Sequence, residues 1–242
     1  MGIGRGRLFV GTAGWSVASR YAEAVPGPGT HLERYARRLD AVEINSSFHG
    51  PHQHKTYERW ARSTPDGFRF SVKLPKAITH ERALADCGSL VDAFAAEVAG
   101  LGEKLAVLLV QLPRTSPVDR ATADRFFDHL RSLSDAAIAF EPRHADWFTT
   151  EADEWLAERR IVRVAADPAP APGAGEPGGW RGLRYYRWHG SPRLYYSDYD
   201  EAALAAFRKR AEADLAEAPV WCVFDNTASG AALGNALTFA GL

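Results

Sequence analysis

The stretch 105–143, LAVLLVQLPRTSPVDRATADRFFDHLRSLSDAAIAFEPR, decides the fold. It begins with a short apolar run, Leu105–Leu112, of strand length. Phe126, Leu130 and Leu133 then recur at steps of four and three, the spacing of one buried face on a helix over Arg120–Leu133. A second strand-like run, Ala137–Arg143, follows. Strand, helix, strand is the repeating unit of a parallel sheet covered by helices.

Working outward, the same alternation fills the chain. Strand-like runs precede this unit at Leu8–Gly14, Ala41–Asn45 and Phe68–Leu74, and follow it at Ile161–Asp167, Leu183–His189 and Val220–Asn226. Helix-like segments fall at His31–Leu39, His52–Ser63, Val91–Gly102, Glu151–Arg159, Glu201–Ala216 and Gly230–Phe239. Eight such strands predict an α/β chain of one domain over residues 1–242, closed as a (β/α)8 TIM-type barrel. The sixth connection is irregular. It reads PAPAPGAGEPGGW, residues 168–180, with four Pro and four Gly in thirteen residues, which no ordinary helix tolerates. A long connection within one domain is preferred to a linker, because a fragment ending at Asp167 would leave open sheet edges. Its composition suits a lid.

Composition agrees. A chain of 242 residues, 46% hydrophobic and 24% charged, is ordinary globular material and excludes disorder, collagen and a disulfide-stapled miniprotein. Lys and Arg number 29 against 30 Asp and Glu, a net charge of -1, so no global basic excess points to nucleic acid or anionic membrane. Cys87 and Cys222 form neither a framework nor a CxxC pair, which fits a reducing, cytoplasmic setting. The N-terminus is a poor signal peptide, and Gly2 lacks the Ser or Thr at position 6 that myristoylation needs, because Gly6 stands there. The apolar run LAVLLV is too short to cross a bilayer.

Chemistry concentrates at the carboxyl ends of the strands, where barrel enzymes keep their catalytic groups. Residues two apart share a face. Glu43 and Asn45 end the second strand, Ser71 and Lys73 the third, Gln111 the fourth, Glu141 and Arg143 the fifth, and Asp167 the sixth. Tyr185, Arg187 and His189 share a face of the seventh, and the eighth offers Asp225 or Asn226. Two readings compete: a structural ion-pair network, with Glu43, Glu141 and Asp167 against Lys73, Arg143 and Arg187, or a ligand site built from the same groups. His49, His52, His54, His80, His144 and His189 also fall at or past strand ends, whereas His31 and His129 lie in helices and read as solvated. The tract HGPHQH, residues 49–54, matches no zinc signature such as HExxH, so the sequence calls for no cofactor and a divalent metal has no ligand motif behind it. His189 is the better acid–base candidate. Trp15, Phe48, Trp147, Tyr195, Tyr196 and Tyr199 offer either packing or a platform for a flat ligand. GTAGW lacks the third glycine of a dinucleotide fingerprint, and neither a Walker loop nor a GxSxG elbow is present.

Seven ordered motifs, GTAGW, VEINSSF, FRFSVKLPKAITH, LLVQLP, FEPRHADW, RWHG and VFDNTASGAALGNA, resemble the domain of unknown function 72 (YecE-like) family over about Gly11 to Leu237. The resemblance implies a (β/α) barrel and no particular reaction. It implies characteristic polar positions at Glu43, Asn45, Lys73, Thr79, His80, Gln111, Glu141, Arg143, Trp147, Arg187, His189, Gly190 and Asn226. The sequence departs from the family at His49, where tyrosine is common, and in its histidine-rich tract.

The leading expectation is a hydrolase-type enzyme on a small phosphorylated or otherwise anionic ligand. Glu43, Glu141 and His189 would be catalytic, and Lys73, Arg143 and Arg187 would hold the anion. Trp15, Asn45, His80, Gln111, Trp147, Asp167, Tyr199 and Asn226 would complete the binding site. Two carboxylates across a mouth also suit a glycosidase. The alternatives are a protein that binds or processes nucleic-acid ends or lesions, and a non-catalytic ligand-binding module. The excess of Arg over Lys, 24 to 5, reads as coding bias rather than a nucleic-acid surface. No membrane partner is expected, and no oligomeric state follows from the residues.

Overall fold

The strands form where the sequence alternation places them. In the computed structural model, which describes residues 6–242, they are β1 (Leu8–Thr12), β2 (Ala41–Ile44), β3 (Arg69–Lys73), β4 (Leu105–Gln111), β5 (Ala137–Glu141), β6 (Ile161–Arg163), β7 (Ala165–Asp167), β8 (Gly178–Gly179), β9 (Arg184–Trp188) and β10 (Val220–Phe224). Gly2 lies outside the described residues. The helices are α1 (His31–Tyr35), α2 (Ser46–His49), α3 (His54–Arg62), α4 (Lys76–Thr79), α5 (Gly88–Val98), α6 (Arg120–Leu133), α7 (Thr150–Glu158), α8 (Glu201–Leu215) and α9 (Ala231–Gly241). The chain is a mixed α/β fold built on parallel sheets. No helix among the described residues is long and apolar enough to cross a membrane.

Local signals explain the helices. Asp119 caps α6 by accepting from the Thr122 N–H at 3.1 Å, and Phe126, Phe127 and Leu130 bury its inner face. Asp200 caps α8 in the same way, and Thr30 with Glu33 forms a capping box on α1. The segment expected as one helix over Val91–Gly102 instead ends α5 at Val98 and continues as a 3-10 turn, with Gly102 at φ 54°. His31 is exposed, as expected, and accepts the Val17 N–H through Nδ1 at 3.2 Å.

The strands fall into two hydrogen-bonded sheets, β1-β10-β9-β7 and β2-β3-β4-β5-β6-β8, where the sequence predicted a single closed one. The expected sixth strand, Ile161–Asp167, divides at Val164. Its first half pairs with β5, and its second half pairs with β9. The Pro/Gly segment lies against the first half: its β8 runs antiparallel to β6, with the Trp180 N–H bonded to the Ile161 carbonyl at 2.8 Å. Gly179 permits this approach, since a Cβ there would lie 2.4 Å from that carbonyl oxygen and its φ is +64°. The other junction is β1 against β2. Ala13 and Glu43 form a parallel bridge, and the Gly14 N–H donates to the Glu43 carbonyl at 2.8 Å.

Side-chain alternation sorts the core into two layers. Val10, Val42, Ile44, Phe70, Val72, Leu108, Val110, Phe140 and Phe224 face the helices. Phe9, Ala41, Val107, Leu109, Ala139, Val162, Val164, Tyr185, Trp221 and Val223 face one another on the opposite side of the strands. On that inner side Trp221 stacks between Phe9, at 5.0 Å, and Tyr185, at 5.7 Å. Each further step of two residues toward the strand ends rises about 6.6 Å. Tyr185, Arg187 and His189 therefore occupy three successive levels above an apolar floor.

Gly11 controls how closely β1 approaches β2, because a Cβ there would lie 2.3 Å from the Ala41 carbonyl oxygen. Gly11→Ala is expected to cost about 1–3 kcal/mol, the usual range for overpacking, read as a lower urea midpoint with an unchanged slope.

Candidate functional site

The level above Tyr185 is polar, and its centre is Arg187, fully buried at 0% exposure. Its Nε and Nη2 donate to the two Glu43 carboxylate oxygens at 3.0 and 2.7 Å. Nη1 donates to Glu141 Oε2 at 2.5 Å, and Nη2 donates to Asp225 Oδ2 at 2.8 Å. A guanidinium is suited to this because its rigid fork serves several acceptors at once. The Tyr185 hydroxyl donates to Glu43 from below at 2.9 Å, and the Ser71 hydroxyl lies 2.9 Å from the same phenol oxygen. Glu141 Oε1 accepts from Arg143 at 3.0 Å. His189 Nδ1 lies 3.0 Å from Asp225 Oδ2.

Three carboxylates, Glu43, Glu141 and Asp225, thus face two guanidinium groups, Arg187 and Arg143. One negative charge is left over, which a protonated His189 balances. The titration directions agree. Burial alone would raise Glu141 and Asp225, but Arg187 and His189, with Arg143 at Glu141, together outweigh it and hold both below the ordinary carboxylate range. Burial alone would lower His189, but Glu141 and Asp225 outweigh it and raise the imidazole. His189 Nε2 lies 3.2 Å from Glu141 Oε1, inside ion-pair reach but without hydrogen-bond geometry.

The sequence reading made Glu43 or Glu141 an acid–base group and Arg187 an anion clamp. These roles are corrected here. Glu43 is fully enclosed and spent on Arg187 and Tyr185, Glu141 is held ionised, and Arg187 has no face open to a ligand. A glycosidase pair would lack its proton donor. Of the two candidates at the end of β10, the tertiary structure selects Asp225. Asn226 points to the other side, donating to Ser197 O at 2.9 Å and Asn235 Oδ1 at 2.8 Å. Parity carries the signal: Trp221, Val223 and Asp225 share the inner face.

Other expected contacts are also relocated. Trp147 is 1% exposed, packs edge-on to Phe140 and donates to Ser116 O, so it is core rather than a platform. Asp167 accepts from Tyr199 at 2.7 Å, and the Tyr199 hydroxyl accepts the Gly190 N–H at 2.9 Å, so this pair shapes the turn after β9. Gly190 is needed there, with φ +90° and a Cβ position 2.7 Å from Ser197 O. Trp15 packs edge-on to Trp60, away from the ion network. In the histidine tract, His54 pairs with Glu58, and His52 packs on Tyr57 and Trp60. Among the described residues no group of three or more His, Cys, Asp or Glu is arranged to hold a metal.

The remaining predicted residues stand beside the network. Lys73, 9% exposed, lays its ammonium 4.3 Å from the centre of the Phe48 ring, and His80 packs edge-on to the same ring. Gln111 is in register with Glu141, and neither its Oε1 nor Asn45 Oδ1 has a hydrogen-bond partner. An open cavity of about 210 Å³ lies over the network. Glu141, Arg143 and His189 line one side, Pro168 and Pro170 of the irregular connection another, and Arg114 and Leu194 the rim. Arg114 was not anticipated from the sequence, since it sits in a loop beyond the end of β4 with no periodicity to mark it. Among the described residues neither Arg114 nor Lys73 has a carboxylate within ion-pair distance.

A mixed α/β protein with a buried ion network and a cavity at the carboxyl ends of its parallel strands is the class these observations define. The chain belongs to the family described as Protein of unknown function DUF72, whose model matches residues 9–242. It is 29% identical over 169 residues to the UPF0759 protein YecE of Escherichia coli (strain K12), covering 67% of this chain and 60% of that relative. It is 24% identical over 148 residues to the UPF0759 protein YunF of Bacillus subtilis (strain 168), covering 59% of this chain and 52% of that relative. The match thus spans little more than half the length of these curated relatives. Two crystal structures share the fold. A DUF72 family protein from Enterococcus faecalis V583 gives TM-score 0.82 at 21% identity, covering 97% of this chain and 94% of that one. Another, from Thermotoga maritima MSB8, gives 0.77 at 24% identity, covering 97% and 98%.

Two tests follow from the network. Arg187→Met strands three buried carboxylates and is expected to cost about 3–5 kcal/mol in urea unfolding, partly recovered when Glu141→Gln is added. The pH profile has two sides. The contribution of Glu141 and Asp225 is present above the ordinary carboxylate range and lost as pH falls through their lowered values. That of His189 is full below 6.5 and lost as pH rises through its raised value. In His189→Gln, thermal melts across pH should lose the alkaline decline and keep the acid one.

Proposed function

We propose that this protein is a hydrolase-type enzyme acting on a small anionic ligand in the cavity over the ion network. One observation carries the reading: Glu43, Glu141 and Asp225 are answered by Arg187, Arg143 and His189, while Arg114 at the cavity rim and Lys73 beside the network have no carboxylate within ion-pair distance among the described residues. A site with surplus positive charge and a low-dielectric floor favours an anion, and carboxylate or phosphate suits a guanidinium best. The unpartnered Gln111 and Asn45 side-chain oxygens give the ligand's hydroxyl or amide groups somewhere to donate.

His189 is the acid–base group of this reading. Asp225 anchors its Nδ1, and the charged imidazole lines the cavity, so it gives its Nε2 proton to the leaving group and then regains one from the attacking water. Glu141 and Asp225 serve by fixing that imidazole and its charge. The reading also treats the two sheets as one closed eight-stranded barrel. The Ala13–Glu43 bridge on one side and the continuous stretch 161–167, shared by both sheets, on the other support this. A cytoplasmic setting accords with two free, buried cysteines.

Titration with inorganic phosphate and a panel of phosphorylated and carboxylated small molecules, followed by thermal shift, tests the binding half. At a hundred-fold excess over Kd a true ligand stabilises by about 2.7 kcal/mol, and Lys73→Met or Arg114→Ala should remove most of that. No stabilisation by any anion overturns the reading. Turnover lost in His189→Gln with binding retained supports catalysis; binding without turnover in the unaltered chain makes the protein a ligand-binding module.

A further inference from the structure

We propose that Lys73 is a nucleophilic amine that captures the carbonyl group of a small anionic aldehyde or ketone as an imine, with His80 as its proton carrier. The inference rests on the anion-binding reading of the cavity and adds an activity to it. The chain has only Lys55, Lys73, Lys76, Lys104 and Lys209. Lys55 and Lys209 are exposed, Lys76 pairs with Glu81 at 3.2 Å, and Lys104 donates to the Ala61 and Thr64 carbonyls at 2.7 Å. Lys73 alone sits at a strand end on the inner face of the sheets, nearly buried, with no hydrogen bond or ion pair among the described residues. An ammonium taken out of water, with an aromatic face against it and Asp225, Glu141 and Glu43 too far for an ion pair, is held weakly as a cation.

Lys73 and His80 share the Phe48 ring as a neighbour, and a water between them would carry the proton. Lys73 Nζ lies 4.3 Å from that ring's centre, and the His80 ring centre lies 4.9 Å from it. The Thr79 hydroxyl donates to the Pro75 carbonyl at 3.2 Å, so the His80 Nδ1 that lies 2.9 Å from the same hydroxyl carries its own proton. The lone pair is then on Nε2. The electrostatics agree with the geometry. Burial, followed by the Arg187 charge, pushes Lys73 down from 10.5 to about 8. Burial, then Lys73 and Arg143, lowers His80 and keeps it neutral.

The step balances without any redox partner. His80 accepts the ammonium proton, and the freed nitrogen lone pair forms a C–N bond to the carbonyl carbon as the C=O π pair moves to oxygen. Return of that proton to the oxygen gives a carbinolamine whose nitrogen still carries two protons. His80 moves one of these from nitrogen to the hydroxyl, and the freed lone pair forms C=N as the oxygen departs as water, leaving a protonated imine. Arg114 keeps the ligand's anionic group at the rim while Lys73 is neutral.

Reductive trapping tests this in the unaltered chain. Glyoxylate and cyanoborohydride are added near pH 8, and adducts are located by peptide mapping, with acetaldehyde as an uncharged control. Lys73 should be labelled at least about tenfold faster than Lys55 and Lys209, with glyoxylate preferred over acetaldehyde. Lys73→Arg should lose the fast adduct. His80→Gln should slow it by about a hundredfold, with partial rescue by free imidazole, which a merely structural role would not allow. Adducts confined to Lys55 and Lys209, while inorganic phosphate still raises the melting temperature, overturn the imine and leave the anion site standing. Failure of both trapping and phosphate binding overturns the two readings together.

Discussion

A single buried guanidinium holds the two sheets to one another at the level of the site. Arg187 rises from β9 in the four-stranded sheet and grips Glu43 and Glu141 from the six-stranded sheet, with Asp225 from the end of β10 beside it. Such an arrangement is stable only when complete, because each charge left unpaired in a dry interior costs several kcal/mol. That requirement recruits the neighbours. Tyr185 and Ser71 complete the Glu43 shell, Arg143 completes Glu141, and His189 completes Asp225. The carboxylates that look most catalytic in the sequence are thereby immobilised and ionised.

The surrounding architecture serves that network. An aromatic stack of Phe9, Trp221 and Tyr185 closes the floor and keeps water from the ions. Close backbone approach at Gly11, beside the Ala13–Glu43 bridge, brings the Glu43 strand to its neighbour. The irregular connection does two jobs: its β8 caps the edge of β6, and its prolines wall the cavity. The turn after β9, shaped by Gly190, Tyr199 and Asp167, carries Tyr195, whose hydroxyl accepts from Arg143 and whose ring lies edge-on to His189. Site and scaffold are thus continuous.

Much of this was legible in the chain. Strand positions, inner-face parity and the clustering of Glu43, Lys73, Gln111, Glu141, Arg143, Arg187 and His189 at one end all follow from alternation of period two. Asp225 was within reach of the same rule, since it shares parity with Trp221 and Val223, whereas Asn226 falls on the opposite face. Trp147 was misplaced because an aromatic past a strand end has the same sequence signature whether it faces ligand or core. Arg114 carried no signal, because a loop residue acquires its neighbours only when distant segments fold over it.

The sequence by itself determined the order of elements and which side chains face inward, because hydrophobic periodicity and turn chemistry are local properties of the backbone. Only the tertiary structure decided which charges pair, which remain free, and that the sixth strand divides between two sheets. Those outcomes depend on distances between residues far apart in the chain, such as Glu43 and Arg187, and on desolvation, which exists only once the interior has closed.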